Sequence, residues 1–442
     1  MTQRSRYLGV AVGLGGVAFA QEAGVDPATT AWMLISTALV LLMTPGLAFF
    51  YGGLVRAKNV LNTMMMSFAA LGAVGMSWVL VGYSLAYDTG SAFIGGFGHL
   101  LLRGLGLEGE GIPPLLDVAF QGTFAIIAAA LISGGIVERM RFGAYLAFIT
   151  LWSLTVYAPL AHWVWGGGWL AEALDFAGGT VVHINAGVAA LVAALVVGPR
   201  KDHGRQAILP HNVPFVLLGA ALLWFGWFGF NGGSAYAADG TAALAFTNTF
   251  LAPAATLVVW GALDGWRAGR ITAVGAATAI VVGLVAVTPA AGFVGPLGAL
   301  WIGALAAFPS YLFILWRARS RMDDALDVFG THGLGGITGA LLTGVLASAE
   351  WGGTPGLLEG NAAQLWLQAQ AVLYAVGYSA AATFVLLRLV GAFTPLRASA
   401  KEEGVGLDVN AHGEEAYTTG EGAVLLLDVE GQPQRLSAGG RA

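Results

Sequence analysis

The chain has 442 residues, of which 57% are hydrophobic and only 10% are charged. Soluble domains carry roughly a quarter charged residues, so this composition excludes an ordinary soluble enzyme and predicts a polytopic membrane protein. Cysteine is absent, which excludes a disulfide framework, thiol catalysis and zinc–thiolate sites. The net charge of −5 becomes informative only when the charges are placed along the chain.

The N-terminus has the features of a secretory signal. Two arginines precede a short apolar segment, and Ala18-Phe19-Ala20 stands before the polar Gln21. An apolar core too short to span a bilayer, followed by such an ending, is typical of a cleaved signal peptide. We therefore predict a signal peptide over residues 1–20; the alternative is an uncleaved extra helix.

Eleven apolar segments follow, each long enough to cross a hydrocarbon core of about 30 Å as a helix. They predict an all-α transmembrane domain over residues 21–393. The predicted spans are Thr30–Phe50, Thr63–Tyr83, Val118–Ile136, Ala144–Trp163, Val181–Val197, Pro214–Phe230, Ala242–Ala262, Ile271–Val287, Gly295–Leu315, Val328–Ser348 and Leu365–Phe393.

The distribution of positive charge predicts the orientation. Of the 20 lysines and arginines, Arg4 and Arg6 lie in the signal segment. With the mature N-terminus outside, only Arg103 falls on the outer side and the other 17 fall on the inner side. Cytoplasmic loops carry the excess of lysine and arginine. The N-terminus is therefore expected outside, and the C-terminal tail, residues 394–442, in the cytosol.

The first ten spans divide into two similar halves. Phe50-Tyr51-Gly52-Gly53 ends the first span and Phe230-Asn231-Gly232-Gly233 ends the sixth. Five spans per half place the second half in the opposite orientation, which predicts an inverted repeat with a site near the membrane midplane. The eleventh helix is expected to pack across the outside of this bundle.

An aspartate and a histidine recur at the same spacing in the fifth and tenth spans. Asp175 stands eight residues before His183, and Asp324 eight residues before His332. Small residues follow each histidine at helical spacing, which lets a neighbouring backbone approach closely. An intramembrane ionisable residue indicates a functional site; the alternative is a polar group that merely bonds a neighbouring helix. Two facing imidazoles could guide a small polar solute or relay a proton, and we expect no metal site.

The aspartates precede helices and could cap their free N–H groups. We assign that role to Asp324, with Asp327 as a further candidate. For Asp175, beside Trp165, two roles stay open: holding the local architecture, or attracting a cation.

Aromatic residues gather near the outer helix ends. Each alone could be an interfacial anchor, whereas a cluster in a vestibule would attract cations through its ring faces. The cluster comprises Trp163, Trp165, Trp224, Trp227, Phe228 and Phe230, with Ser234 beyond it.

Five motifs in order give the chain a recognisable pattern. They are AFQGTF (119–124), HWVWGGG (162–168), LDFAGGTVVHINAG (174–187), GWFGFNGGSA (226–235) and DVFGTHG (327–333). With them, the chain from Thr30 to Tyr417 resembles a prokaryotic ammonium transporter of the Amt/Rh family.

The resemblance implies roles for particular residues. Trp165, Phe124, Ser234 and Asp175 would recruit ammonium at an outer vestibule, supported by Gln121 and Trp227. Phe124 and Phe230 would close the pore mouth, and His183 and His332 would line an apolar pore for ammonia. The family also implies ammonium as substrate with methylammonium as analogue, no cofactor, a homotrimer in the cytoplasmic membrane, and a PII-type signalling protein as partner of the tail segment GLDVNAHGEEAY (406–417).

Two other functions remain as alternatives. An electroneutral, Rh-like channel for ammonia or another gas would pass no charge, and the complete vestibule set argues against it. An ammonium sensor would signal through its tail, which is short and has no recognisable output domain. No nucleophile triad, cofactor loop or metal cluster stands out in the sequence, so we do not expect an enzyme.

Overall fold

The computed structural model describes residues 24–417 and the backbone of two short strands, Leu425–Leu427 and Pro433–Arg435. The predicted signal peptide over residues 1–20 lies outside the described residues. From residue 24 to residue 417 the chain is built from helices and their connecting loops. The two strands, β1 (Leu425–Leu427) and β2 (Pro433–Arg435), form an antiparallel pair in the tail.

The helices confirm the all-α class of the membrane domain. In chain order they are α1 (Pro27–Leu54), α2 (Ala57–Tyr87), α3 (Pro114–Ile136), α4 (Phe142–Val164), α5 (Gly179–Val197), α6 (Val213–Gly233), α7 (Gly240–Ala268), α8 (Ala273–Val287), α9 (Pro296–Arg317), α10 (Phe329–Gly333 continued by Leu334–Leu346), α11 (Ala362–Phe393), α12 (Ala400–Val405) and α13 (Leu407–His412). Single helical turns occur at Leu100–Leu102, Ala349–Gly352 and Leu357–Glu359.

Every predicted span coincides with a helix, but several boundaries differ. Among the described residues, nine helices are long and apolar enough to cross a membrane, and α8 is a shorter apolar helix of 15 residues. Helix α7 continues to Ala268, beyond the predicted Ala262, and ends at Gly269, whose φ of 70° is left-handed. The full count of eleven crossings, the inverted repeat and the orientation of the termini stay predictions.

Helix α3 lies at the centre of the bundle and α11 at its periphery. In the most apolar window of α3 89% of the residues are buried, against 28% in α11. Helix α11 packs along α10, α5 and α4.

Helices α1 and α6 pack closely along each other. A Cβ atom on Gly219 would lie 2.2 Å from the backbone nitrogen of Phe50, so only glycine permits this approach. The same holds between α5 and α10, where a Cβ on Gly187 would lie 2.3 Å from the nitrogen of Gly333. The first helix thus contacts the sixth and the fifth contacts the tenth, which supports the predicted relation between the two halves.

A buried ion network joins the loops at one end of the bundle, which we call the tail end. The carboxylate of Glu138 accepts hydrogen bonds from Arg56 at 2.9 Å, Asn59 at 2.9 Å and Arg200 at 2.7 Å. Arg200 also holds both carboxylate oxygens of Asp323, at 2.8 and 2.9 Å. Burial raises the pKa of Glu138 and of Asp323. The guanidinium of Arg200 outweighs that effect, together with the guanidinium of Arg56 at Glu138, so both pKa values lie below their usual range. The network therefore ties the ends of α1, α3 and α5 to the loop before α10.

The tail docks on this network through reciprocal helix caps. The backbone N–H of Leu407, at the start of α13, donates to the side-chain oxygen of Asn59 at 2.8 Å. In return, the carboxylate of Asp408 accepts from the N–H of Asn62, near the start of α2, at 2.8 Å. Each helix thus satisfies a free N–H group of the other. Lys58 adds hydrogen bonds to the carbonyl oxygens of Glu403 and Gly404.

Candidate functional site

Four rings stack in a column through the centre of the bundle. The rings of Phe124 on α3 and Phe230 on α6 lie face to face, with centroids 4.1 Å apart and planes 25° apart. The ring of His183 follows Phe230 at 5.8 Å, and that of His332 follows His183 at 5.3 Å. All four residues are buried. The two phenylalanines and two histidines predicted from sequence therefore lie in one continuous line.

The two histidines occupy matching positions at the start of their helices. His183 lies in the π-helical turn Gly179–Ile184 and His332 in the π-helical turn Phe329–Gly333. Such turns are rare and frequently mark functional sites. They bring the Nδ1 atoms of the two rings within 3.2 Å of each other. The sequence spacing had paired these residues, but their direct contact could not be read from it.

A small cavity lies beside the histidine pair. Its volume is about 10 Å³, which holds about one water-sized molecule. Apart from the two imidazoles its lining is apolar: Met43, Leu47, Phe50, Ile127, Leu131, Leu223, Trp227, Phe230 and Val281. Such a space accommodates a small neutral molecule and disfavours a bare ion, whose burial without partners is costly.

Trp165 and Ser234 lie at the Phe124 end of the column, which we call the vestibule end. The indole of Trp165 packs edge-on against Phe124, with centroids 6.2 Å apart and planes at 86°. Its Nε1 donates to the backbone oxygen of Asp175 at 2.8 Å. The hydroxyl of Ser234 donates to the carbonyl of Phe230 at 2.8 Å, so its lone pairs remain available as acceptors. The structure thus places Trp165 against Phe124, and Ser234 against the backbone of Phe230, whose ring stacks on Phe124.

Asp175 caps the helix that carries His183. Its two carboxylate oxygens accept hydrogen bonds from the backbone N–H groups of residues 178, 179, 180 and 181, at 2.6 to 3.1 Å. The residue is 1% exposed. Of the two roles left open by the sequence, this geometry favours the architectural one, because both oxygens are already engaged.

Asp324 and Asp327 have different partners. Asp324 accepts a hydrogen bond from the backbone N–H of Phe329 at 2.8 Å, as expected of a cap for the His332 helix. The carboxylate of Asp327 instead binds the guanidinium of Arg317 at 2.6 and 2.9 Å. Asp327 was a further candidate for such a cap, but both of its carboxylate oxygens are engaged in the ion pair with Arg317 of α9.

Trp227 contacts the column rather than the vestibule surface. Its ring stacks on that of His183, with centroids 5.2 Å and planes 22° apart, and its Nε1 donates to the hydroxyl of Thr288 at 2.9 Å. Thr288, at the end of α8, was not identified from the sequence. Trp227 and Thr288 are 61 positions apart, and no spacing rule connects them.

Sequence reasoning also missed a polar cluster beside Gln121. The amide nitrogen of Gln121 donates to the hydroxyl of Tyr236 at 2.6 Å, and that hydroxyl donates to Asp117 at 2.7 Å. A second hydroxyl, from Tyr83, donates to the other carboxylate oxygen of Asp117 at 2.7 Å. The sequence contained a signal for this cluster. Asp117 stands four residues before Gln121 and seven before Phe124, so the three residues share one face of a helix.

Comparison with known proteins identifies the family. The model of the Ammonium Transporter Family matches residues 31–417. The chain belongs to the Ammonium Transporter Family. An ammonium transporter of Aquifex aeolicus (strain VF5) is 51% identical over 420 residues, covering 93% of this chain and 98% of the relative. One from Bacillus subtilis (strain 168) is 47% identical over 398 residues, covering 88% of this chain and 98% of the relative.

Solved structures of family members have the same fold. Saccharomyces cerevisiae Mep2 superposes with a TM-score of 0.80 at 36% identity, covering 85% of this chain and 88% of that one. A structure described as a sensor Amt protein gives a TM-score of 0.80 at 28% identity, covering 87% and 98%. Family membership supports ammonium transport across a membrane as the activity of this chain and agrees with a protein that is not an enzyme.

Proposed function

We propose that the chain takes up ammonium by recruiting it at the vestibule end, deprotonating it and conducting ammonia past His183 and His332. The observation that carries the proposal is the ring column, in which stacked phenyl rings separate the Trp165 and Ser234 cluster from an apolar cavity beside two imidazoles. Trp165 and Phe124 would offer ring faces to a cation, and Ser234 a hydroxyl acceptor.

The free energy of burying a charge explains why ammonium would lose its proton before it enters the apolar cavity. A charge moved into an apolar site without partners costs far more than a neutral polar molecule does. Ammonium escapes that cost by losing a proton, and ammonia then needs only one or two hydrogen bonds, which the imidazoles supply. Potassium has no proton to lose and would be rejected. The contact between Phe124 and Phe230 leaves no passage between the rings, so conduction requires one ring to rotate.

The pair of imidazoles also provides a route for the proton. Nitrogen atoms 3.2 Å apart are within hydrogen-bond reach. The proton released at the vestibule would cross along this pair and rejoin ammonia on the inner side, giving net transport of ammonium with one positive charge.

The location and partners of the protein form part of the same proposal. We infer a multi-pass protein of the cytoplasmic membrane, N-terminus outside and tail inside, assembled as a homotrimer. The docked tail helices α12 and α13 would offer a PII-type signalling protein a surface at the tail end of the bundle. The mass of the complex in lipid nanodiscs, measured with and without a PII-type protein, tests both assemblies.

Currents in reconstituted liposomes test the transport mechanism. An ammonium concentration jump is expected to give a transient current in the wild-type protein and none in the double variant His183→Ala, His332→Ala. The control His99→Ala, on the loop between α2 and α3, should keep the wild-type current. Uptake without any current would contradict proton co-transfer and favour the electroneutral channel.

A further inference from the structure

The hydrogen bonds around Asp117 form a chain that ends beside the stacked rings of Phe124 and Phe230, which we call the phenyl gate. Asp117, Gln121 and Phe124 occupy one face of α3, so Gln121 lies one turn from the ring of Phe124 and Asp117 one turn further out. Tyr236 follows the end of α6 and packs edge-on against Phe120, with centroids 5.6 Å apart. Its hydroxyl stands between the amide of Gln121 and the carboxylate of Asp117.

The direction of each hydrogen bond in this chain is fixed by chemistry. The single hydroxyl proton of Tyr236 is donated to a side-chain oxygen of Asp117. The oxygen of Tyr236 then acts as an acceptor, and the NH₂ group of the Gln121 amide is the donor to it. The amide is therefore held with its nitrogen towards Tyr236, which leaves its oxygen free to face elsewhere.

That amide oxygen is a buried acceptor without a hydrogen-bond partner among the described residues. Gln121 as a whole is 7% exposed. Leaving a buried acceptor unpaired is costly, so a donor is expected there in the working protein. An ammonium ion has four N–H donors and no acceptor. The ring of Phe124, which the ion must reach, lies one helical turn from Gln121.

We propose that Asp117 and Tyr236 act as a positioning relay that aims the Gln121 amide oxygen at incoming ammonium, making Gln121 a further acceptor of the vestibule. This inference rests on the proposed function. The relay sets specificity as well as affinity, because an amide oxygen at a fixed angle rewards a cation with N–H donors over a spherical cation of similar size.

The relay is tested with the full-length protein in liposomes, by measuring the KM and the maximal rate for methylammonium. Gln121→Leu removes the acceptor, and Tyr236→Phe removes the link while keeping the ring against Phe120. Each is expected to raise KM about tenfold, the value of one charge-assisted hydrogen bond, with the maximal rate within about twofold of wild type. Asp117→Asn should behave like Tyr236→Phe, because an amide no longer dictates the direction of the Tyr236 hydroxyl.

Two controls separate positioning from general damage. Tyr83→Phe removes a hydrogen bond to the same carboxylate but not on the Gln121 side, and should leave KM within about twofold of wild type. The double variant Gln121→Leu, Tyr236→Phe should be no worse than Gln121→Leu alone, because both changes act on one contact.

The possible outcomes distinguish the relay from the proposed function. An unchanged KM in Tyr236→Phe, or effects that multiply in the double variant, would overturn the relay while leaving ammonium transport intact. Absence of methylammonium uptake by the wild-type protein would overturn the proposed function and the relay together.

Discussion

The Nδ1 atoms of His183 and His332 lie 3.2 Å apart. A hydrogen bond between them requires one nitrogen to donate and the other to accept. The two neutral rings must therefore be opposite tautomers, and their Nε2 atoms present one donor and one acceptor. The Nε2 of His183 has no hydrogen-bond partner among the described residues, so it remains available to a molecule in the adjoining cavity. A pair of this kind can bind ammonia without carrying a charge.

The spacing of this pair depends on glycine at the crossing of α5 and α10. Gly187→Ala would place a methyl group 2.3 Å from the backbone nitrogen of Gly333, forcing the helices apart at a cost of about 1 to 3 kcal/mol. We expect a lower unfolding temperature in detergent and loss of transport. Gly72→Ala on α2, whose added Cβ has no atom within 4 Å, is the control and should transport normally. Equal behaviour of the two variants would show that the crossing does not set the histidine spacing.

Asp175 is expected to act through the backbone of the His183 helix. Asp175→Ala removes four N–H···O hydrogen bonds, which should lower the free energy of unfolding by about 3 kcal/mol and abolish uptake. Asp175→Asn keeps one oxygen that can accept two of these bonds, so it should lie between alanine and wild type in unfolding temperature. A fully stable Asp175→Ala protein that fails to transport would assign the carboxylate a direct role with the cation instead.

Much of this architecture could be predicted from the sequence, and the reasons are specific. Apolar length identified each helix, because a bilayer leaves few alternatives. The repeated spacing from Asp175 to His183 and from Asp324 to His332 selected the residues of the site. The partners of polar side chains were much harder to predict, since they depend on which helix faces join. The pairing of Asp327 with Arg317 depends on how the start of α10 packs on α9. The link from Gln121 through Tyr236 to Asp117 arises only when α3 packs beside the end of α6.

The ion network at the tail end predicts a pH-dependent stability. The pKa of Glu138 is lowered on folding from its ordinary value of 4.5. The stability that ionised Glu138 contributes is thus fully present above about pH 4.5. It is lost as the pH falls towards the lower pKa that Glu138 has in the folded protein. Glu138→Gln should cost about 3 kcal/mol at pH 7, and the difference from wild type should shrink as the pH falls below about 4.5.

Chemical denaturation in detergent at several pH values measures this contribution. Arg141→Gln is the control, because Arg141 and Glu402 form a partly exposed pair with side-chain exposures of 44% and 31%. Such pairs contribute about 0 to 1 kcal/mol. A loss of stability for Glu138→Gln that does not change with pH would argue against the ionic origin of the effect.

The reciprocal caps predict how firmly the tail is held. Asp408→Ala leaves the N–H of Asn62 without its acceptor, which should cost about 1 kcal/mol and release α12 and α13 more often. We expect faster trypsin cleavage after Lys401 than in the wild-type protein. Asp408→Asn retains an acceptor oxygen and should be cleaved at nearly the wild-type rate. Identical cleavage of all three proteins would mean that other contacts hold the tail.

We propose that ammonium crosses the Phe124 and Phe230 gate by giving up its proton. Currents recorded from reconstituted wild-type protein on solid-supported membranes, after matched jumps of ammonium, methylammonium and potassium, test it most directly. We expect currents for ammonium and methylammonium and none for potassium. A potassium current as large as the ammonium current would contradict deprotonation as the basis of selection.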